Sequence, residues 1–433
     1  MHNKGRFPNV MFGASLRPES ATLAVMVLLL FLIFVFLFLM LTAQPAQAQT
    51  FLVLHNFTGG PDGGNPQAGL TMDAAGNLYG PASTWGQYDY GNVYKLSPHG
   101  SDWILSALYS FRGGDDGWEP GDLTIGRSGI LYGTTWGGAG CYPGYCGTVF
   151  AMRPAPNATA NPLGGWTKTL LYRFTGGSDG SSPASDLIFD QAGNLYGATS
   201  NGGAYGNGTI YELVPTVGGW AYKLVYSFTG AGDGAEPIGN VTFDQSGNLY
   251  GATYTGGNGW GTIFELTPSV SGWTENTIYT FRGQDDSGNP LSLVMDRAGN
   301  LYGATIGAGC TPGNCLYGVG PGGVFMLSRS SGGWAYSRVY NFDGFDDGTS
   351  LGIDTNGNLY GTLARGGDPC ACGEIFELAP GSGGWTYTDL HDFNGSDGGW
   401  PLGKVTIDAN GHVYGVTEYG GAYGWGTVWE ITP

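Results

Sequence analysis

The 433-residue chain holds 82 glycines, and its aromatic residues (14%) outnumber Asp, Glu, Lys and Arg together (12%). This turn-rich, aromatic-rich composition reads as an all-β body. Its formal charge of -18 repels phosphate backbones and anionic lipid head groups and so argues against nucleic acid as a partner, while leaving divalent cations and neutral polymers such as glycans open.

In the first 48 residues, Lys4, Arg6 and Arg17 precede an unbroken apolar run from Leu23 to Leu41, and Ala46-Gln47-Ala48 follows it. That is the layout of a signal peptide with a small-residue cleavage site after Ala48. The run is also nearly long enough to span a bilayer, so an uncleaved N-terminal membrane anchor is the alternative. Under either reading residues 49–433 lie outside the cytoplasm, secreted or tethered to the outer face of the membrane. Any membrane contact is through the N-terminal segment.

From residue 49 onward one phrase recurs: GNLYG at 76–80, ILYG at 130–133, GNLYG again from 193, 247, 299 and 357, and HVYG at 412–415. Its tyrosines are Tyr79, Tyr132, Tyr196, Tyr250, Tyr302, Tyr360 and Tyr414, spaced 52 to 64 residues apart. A period of this length with strand-like content points to propeller blades rather than to helical repeats. Within residues 186–228, DLIFD, LYGATS, GTIYELVP and WAYKLVYSF each alternate apolar and polar residues between turn signals, which makes four antiparallel strands and one blade.

The fourth-strand type ends at Phe57, Phe111, Phe174, Phe228, Phe281, Phe342 and Phe393. Its first copy, residues 51–57, precedes any first strand, and the last repeat reaches Pro433 without a fourth. The expected fold is therefore a single seven-bladed β-propeller over 49–433, monomeric, closed by the N-terminal strand joining the last blade beside 426–431.

Repeated residues have a structural reading first. The aspartates of the DxxGN turn (Asp73, Asp190, Asp244, Asp296, Asp354 and Asp408) are expected to accept hydrogen bonds from their own turn, with the following Gly at positive φ. The second repeat departs with IGRSGI. The recurring tyrosines and phenylalanines read as packing between blades. The six cysteines occur as Cys141 with Cys146, Cys310 with Cys315, and Cys370 with Cys372; in an exported chain this favours disulfides over a metal site. A bridge across Ala371 alone is geometrically demanding, which leaves reduction or cross-pairing with Cys310 or Cys315 open for the third pair.

In an antiparallel blade the loop between strands two and three shares a rim with the loop entering the next blade. The entering loops bring Asp62, Asp116, Asp179, Asp233, Asp286, Asp347 and Asp397 to that rim, with Trp118 and Trp400. The glycine loops add Trp85, Trp136, Tyr205, Trp260, Tyr423 and Trp425. Carboxylates beside exposed aromatic faces suit carbohydrate, because sugar C–H faces stack on indole and hydroxyls bond to carboxylates. Calcium could use the same oxygens, although no loop has EF-hand spacing. The competing reading is that Asp-Gly is turn chemistry and the rings fold over neighbouring blades.

The phrase GNLYGAT followed by GG, GTIFEL, a proline and a tryptophan strand resembles the GloVer tandem repeat of bacterial "choice-of-anchor" exported proteins, over nearly all of 51–433. The resemblance implies a surface or secreted repeat protein and supplies no catalytic residues. A looser similarity, in the DxxGN-type turn, is to NHL-type and gluconolactonase-type propellers, and fold analogy does not carry function.

Histidine offers no acid–base cluster: His55 and His391 hold the tyrosine position of a fourth strand, His412 replaces a turn Asn, and His99 falls on the opposite rim. The expectation is thus a non-catalytic, surface-exposed binding module, first for carbohydrate. The alternatives are a scaffold for other envelope proteins and a carboxylate-dependent glycoside hydrolase or calcium-dependent lactonase-like enzyme.

Overall fold

A computed structural model describes Met26 and residues 49–432 other than 139, 141–144, 156–164, 184, 284–285, 307–321, 343–347 and 368–369. By internal contacts the chain separates into Met1–Ala48 and Gln49–Pro433. Among the described residues no helix is long and apolar enough to cross a membrane. The second unit forms seven antiparallel sheets, the blades of a seven-bladed propeller. Blade 1 runs through Thr71–Met72, Leu78–Ala82, Asn92–His99 and Asp102–Ser110, and blade 2 through Trp118–Ile125, Leu131–Gly137, Thr148–Pro154 and Trp166–Arg173. Blades 3 to 6 repeat the order and end on Gly219–Ser227, Gly272–Thr280, Gly333–Asn341 and Gly384–Asp392.

Blade 7 takes Gly399–Ile407, Val413–Tyr419 and Thr427–Thr432 from the C-terminal end and its outer strand, Thr50–Asn56, from the N-terminal end. The closing register sets Phe51 opposite Ile431 and Val53 opposite Trp429. The expected closure is what forms, and the C-terminal strand gains a partner on the edge it would otherwise leave open.

The core lies between blades. Seven clusters of buried apolar side chains each join two neighbours, the last uniting Tyr414, Val416 and Val428 of blade 7 with Leu70, Leu78 and Tyr94 of blade 1. The repeat tyrosines do two jobs there. Tyr79 packs edge-on against Trp166 and Tyr250 against Trp334, each ring reaching into the following blade. Their hydroxyls turn back, Tyr79 donating to Asp73 at 3.0 Å and Tyr250 to Asp244 at 3.0 Å. The glycine of LYG makes room for a third-strand ring: a Cβ on Gly415 would stand 2.2 Å from Trp429.

The DxxGN turns form as expected. Asp73 accepts from the backbone N–H groups of Ala75 and Asn77 and from the Asn77 side chain, and Gly76 has φ 79. The departing second repeat makes a 3₁₀ turn, Arg127–Gly129, in which Ser128 takes φ 62. One detail differs from the sequence expectation. The inner strand is broken into two short pieces in blades 3 and 4 and carries a register shift in blades 2, 5, 6 and 7. The cause is local: the residue before the inner-strand proline is left-handed in Asn65, Glu119, Ser182, Glu236, Asn289 and Trp400, with φ between 50 and 55.

Candidate functional site

The two loop sets do meet on one rim, and the left-handed residues are where they join. Each donates its N–H to the glycine loop of the preceding blade: Asn65 to Trp425 O (2.8 Å), Glu119 to Tyr90 O (3.3 Å), Ser182 to Tyr145 O (3.0 Å), Glu236 to Asn207 O (3.0 Å), Asn289 to Trp260 O (2.8 Å) and Trp400 to Cys372 O (2.6 Å). A residue before proline normally stays extended, and holding it left-handed costs on the order of 1–3 kcal/mol. The strain recurs around the mouth of the central channel, where the inter-blade bonds offset it.

The rim aspartates are turned into their own loops. Asp233 accepts from Tyr226 OH (3.0 Å) and Thr229 N (2.8 Å), Asp179 from Tyr172 OH (3.0 Å) and Thr175 N (2.9 Å), and Asp286 from Tyr279 OH (2.8 Å) and Arg282 N (3.0 Å). Asp116 takes Tyr109 OH (2.8 Å), Arg112 N (2.9 Å) and Lys168 Nζ (2.8 Å). In the two remaining described loops histidine stands in for tyrosine: Asp62 pairs with His55 Nε2 at 3.2 Å, Asp397 with His391 Nε2 at 3.1 Å. The charge beside them and burial together push the pKa of Tyr109, Tyr172, Tyr226 and Tyr279 far up, burial being the larger cause. Asp347, Cys141, Cys310 and Cys315 lie outside the described residues. Among the described residues no three His, Cys, Asp or Glu side chains are grouped to hold a metal ion, so the calcium expectation finds no ready-made cluster there.

The aromatic candidates separate into packed and open ones. Trp260 lies over the backbone of the next entering loop, 2.1 Å from where a Cβ on Gly283 would be, and Trp425 covers Gly59 in the same way at 2.6 Å. Trp85 meets Trp425 edge-on at 4.9 Å. Tyr205 and Tyr423 are each 62% exposed. Trp400 packs against Tyr419 (5.7 Å) with the Arg365 guanidinium over its ring at 5.2 Å. Trp118 and Trp400 sit inside inner strands, and Trp136 in the second strand of blade 2, rather than in loops. Trp136, Trp118 and Tyr145 form a three-ring group with centroids 4.8 to 5.5 Å apart, in which Trp136 remains 38% exposed. Cys370 and Cys372 are bonded to each other across Ala371, and Cys146 is also disulfide-bonded.

Trp136 opens on a cavity of about 360 Å³ at the channel mouth, lined also by Gln67, Ser83, Glu119, Gly121, Asp122, Pro183 and Ser185 of blades 1 to 3. One of its lining residues, Asp122, belongs to a charged cluster that the rim reading missed. Lys404 of blade 7 reaches across the channel to the Asp186 carboxylate of blade 3. Asp186 in turn shares a hydrogen bond with Asp122 of blade 2, which also accepts from Gly69 N at 2.6 Å. Two hydrogen-bonded carboxyls must hold a proton between them. Burial, then the Asp186 charge, push the pKa of Asp122 well up; for Lys404 burial opposes the charge, but Asp186 and Asp122 outweigh it and raise its pKa.

Nearby, inner-strand side chains cap the unpaired edge of the next blade, with Asn240 bonding Leu293 N (3.0 Å) and O (2.8 Å) and Thr124 donating to Leu187 O (2.5 Å). The sequence signal for this cluster exists: at one inner-strand position the seven repeats read Gly69, Asp122, Asp186, Asn240, Ser292, Ser350 and Lys404, a place where the motif is broken.

A family profile described as the Gloeobacter/Verrucomicrobia repeat matches residues 40–230 and 160–367. No curated protein sequence matches the chain. Among solved structures, it is similar to a streptogramin B lyase (TM-score 0.56, 12% identity, 89% of this chain and 97% of that one). It is similar to PorZ, a bacterial surface component of the type-IX secretion system of Porphyromonas gingivalis (0.52, 15%, 85% and 46%). It is also similar to an extracellular domain from B. thetaiotaomicron (0.55, 11%, 88% and 40%). At these identities the likeness is one of fold.

Proposed function

The chain belongs to the Gloeobacter/Verrucomicrobia repeat family, and on that premise we propose that it is an exported binding module that takes a carbohydrate at the channel mouth between blades 1 and 3. The observation that carries the reading is the open Trp136 ring beside Gln67, Glu119 and Asp122 in one cavity. An indole face with hydrogen-bonding groups at its edge is how a protein holds the apolar face and the hydroxyls of a sugar together. Export is supported by the basic, apolar and Ala46-Gln47-Ala48 sequence of the first 48 residues and by the Cys370–Cys372 disulfide, a bond that persists outside the reducing cytoplasm. A hydrolase built on Asp122 and Asp186 fits less well, since their carboxyls share a hydrogen bond whereas glycosidases separate theirs by about 5 Å or more.

The test is a glycan array probed with the purified protein, in calcium and in chelator, beside Trp136→Ala. Selective binding that falls at least about tenfold in the variant, as expected for loss of an aromatic platform, supports the site. Absence of binding in both conditions sinks it and leaves a protein partner as the better reading, while binding only with calcium would bring that ion into the site.

A further inference from the structure

We propose that the ligand of the channel-mouth cavity carries a protonated amine, seated between the Glu119 carboxylate and the Trp136 ring, so that the carbohydrate it takes is an amino-sugar polymer. The inference rests on the carbohydrate reading above and narrows it. Glu119 differs from its counterparts in the setting of its side chain, since its left-handed backbone, φ 51 before Pro120, is shared with the equivalent residue of five other blades and serves the inter-blade bonds. Its half-buried carboxylate has no partner among the described residues, and burial alone pushes its pKa up.

Several other carboxylates set into the structure are answered: Asp116 by Lys168, Asp186 by Lys404, Glu265 by Arg329, and Glu418 by the Gln67 amide. None of the residues lining the cavity is basic. A carboxylate taken partly out of water without a counter-charge is where a cationic ligand gains most.

A ligand can supply that counter-charge, and the neighbouring surface says which kind. An ammonium group bonds a carboxylate through charge-assisted hydrogen bonds and is attracted to an indole face. Both acceptors line this cavity, and the chain's net charge of -18 draws a cationic polymer toward it. A uronic or sulfated glycan would bring a second negative charge against Glu119 with no cation in the lining to receive it, and Lys404, outside the lining, is engaged by Asp186. An N-acetylated sugar would stack on Trp136 equally well but would leave Glu119 unanswered.

The experiment is isothermal titration of the purified protein with β-1,4 hexamers of glucosamine, N-acetylglucosamine and glucose, and with hexalysine. The glucosamine hexamer should bind at least about tenfold more tightly than the other two sugars. Glu119→Gln should bring it down to their level, and Trp136→Ala should weaken all three. Equal binding of the three sugars, or a preference that survives Glu119→Gln, overturns the amine assignment while the carbohydrate reading stands. Failure of every sugar removes both. Hexalysine binding as tightly as the glucosamine hexamer, with the same dependence on Glu119, overturns the amino sugar in favour of a basic protein segment.

Discussion

Replacing Lys404 by methionine removes the cation that spans the channel and keeps the apolar stem. Lys404 retains 30% and Asp186 14% of their side-chain exposure, because the pair faces the bore of the channel rather than bulk solvent. Breaking a fully buried ion pair by deleting one partner costs about 3–5 kcal/mol, most of it the charge left behind. Partial exposure to the bore, and the proton that Asp122 shares with Asp186, lower that figure here. Lys404→Met is therefore expected to lose about 2–3 kcal/mol at pH 7.5. Adding Asp186→Asn removes the orphaned charge while leaving an amide to bond Asp122, and should restore more than half of the loss. Urea unfolding of the wild type, both single variants and the double variant measures this as a cycle. A single variant within about 0.5 kcal/mol of wild type, the range of an ordinary surface change, or a double variant no better than Lys404→Met, would refute the claim that the charges are coupled across the channel.

The same cluster sets a pH dependence opposite to that of most carboxylates. Because the folded-state pKa of Asp122 is raised, the native state holds more protons than the unfolded one above about pH 4, and stability falls as pH rises toward that raised value. Asp122→Asn keeps an acceptor for Gly69 N and a donor for Asp186, so the difference in Tm between variant and wild type should grow in the variant's favour from pH 4 to pH 9; parallel curves would contradict the shared proton. Asp244 titrates the ordinary way. Burial acts to raise its pKa, but bonds from the Asn248 side chain and backbone, Tyr250 OH and Ser246 N outweigh that and lower it. Asp244→Ala should cost about 1–3 kcal/mol at neutral pH, a penalty that shrinks as the pH falls below about 4 and the wild type protonates its own carboxylate.

The amino-acid sequence by itself determined whatever depends on neighbours along the chain or on the count of repeats. The Asp73 to Gly76 turn is local chemistry, complete within a few residues. The unpaired fourth-strand copy at the N-terminus could only complete the blade that lacked one, and Thr50–Asn56 does so beside Thr427–Thr432. The rim carried by alternate loops follows from antiparallel connectivity, as the bond from Glu119 N to Tyr90 O reflects.

What remained illegible was how side chains of like type divide between packing and openness. Trp136 stands near the end of the second strand of blade 2 and Trp260 in the glycine loop of blade 4, yet the sequence sets both on one rim; one is left open and the other laid over Gly283, because the room beneath each depends on a different stretch of backbone. Lys404 and Asp186 are 218 residues apart, and no period relates them. Ring closure alone brings blades 7 and 3 to face each other, and only at that distance does a lysine in one strand become the counter-charge for a carboxyl pair in two others.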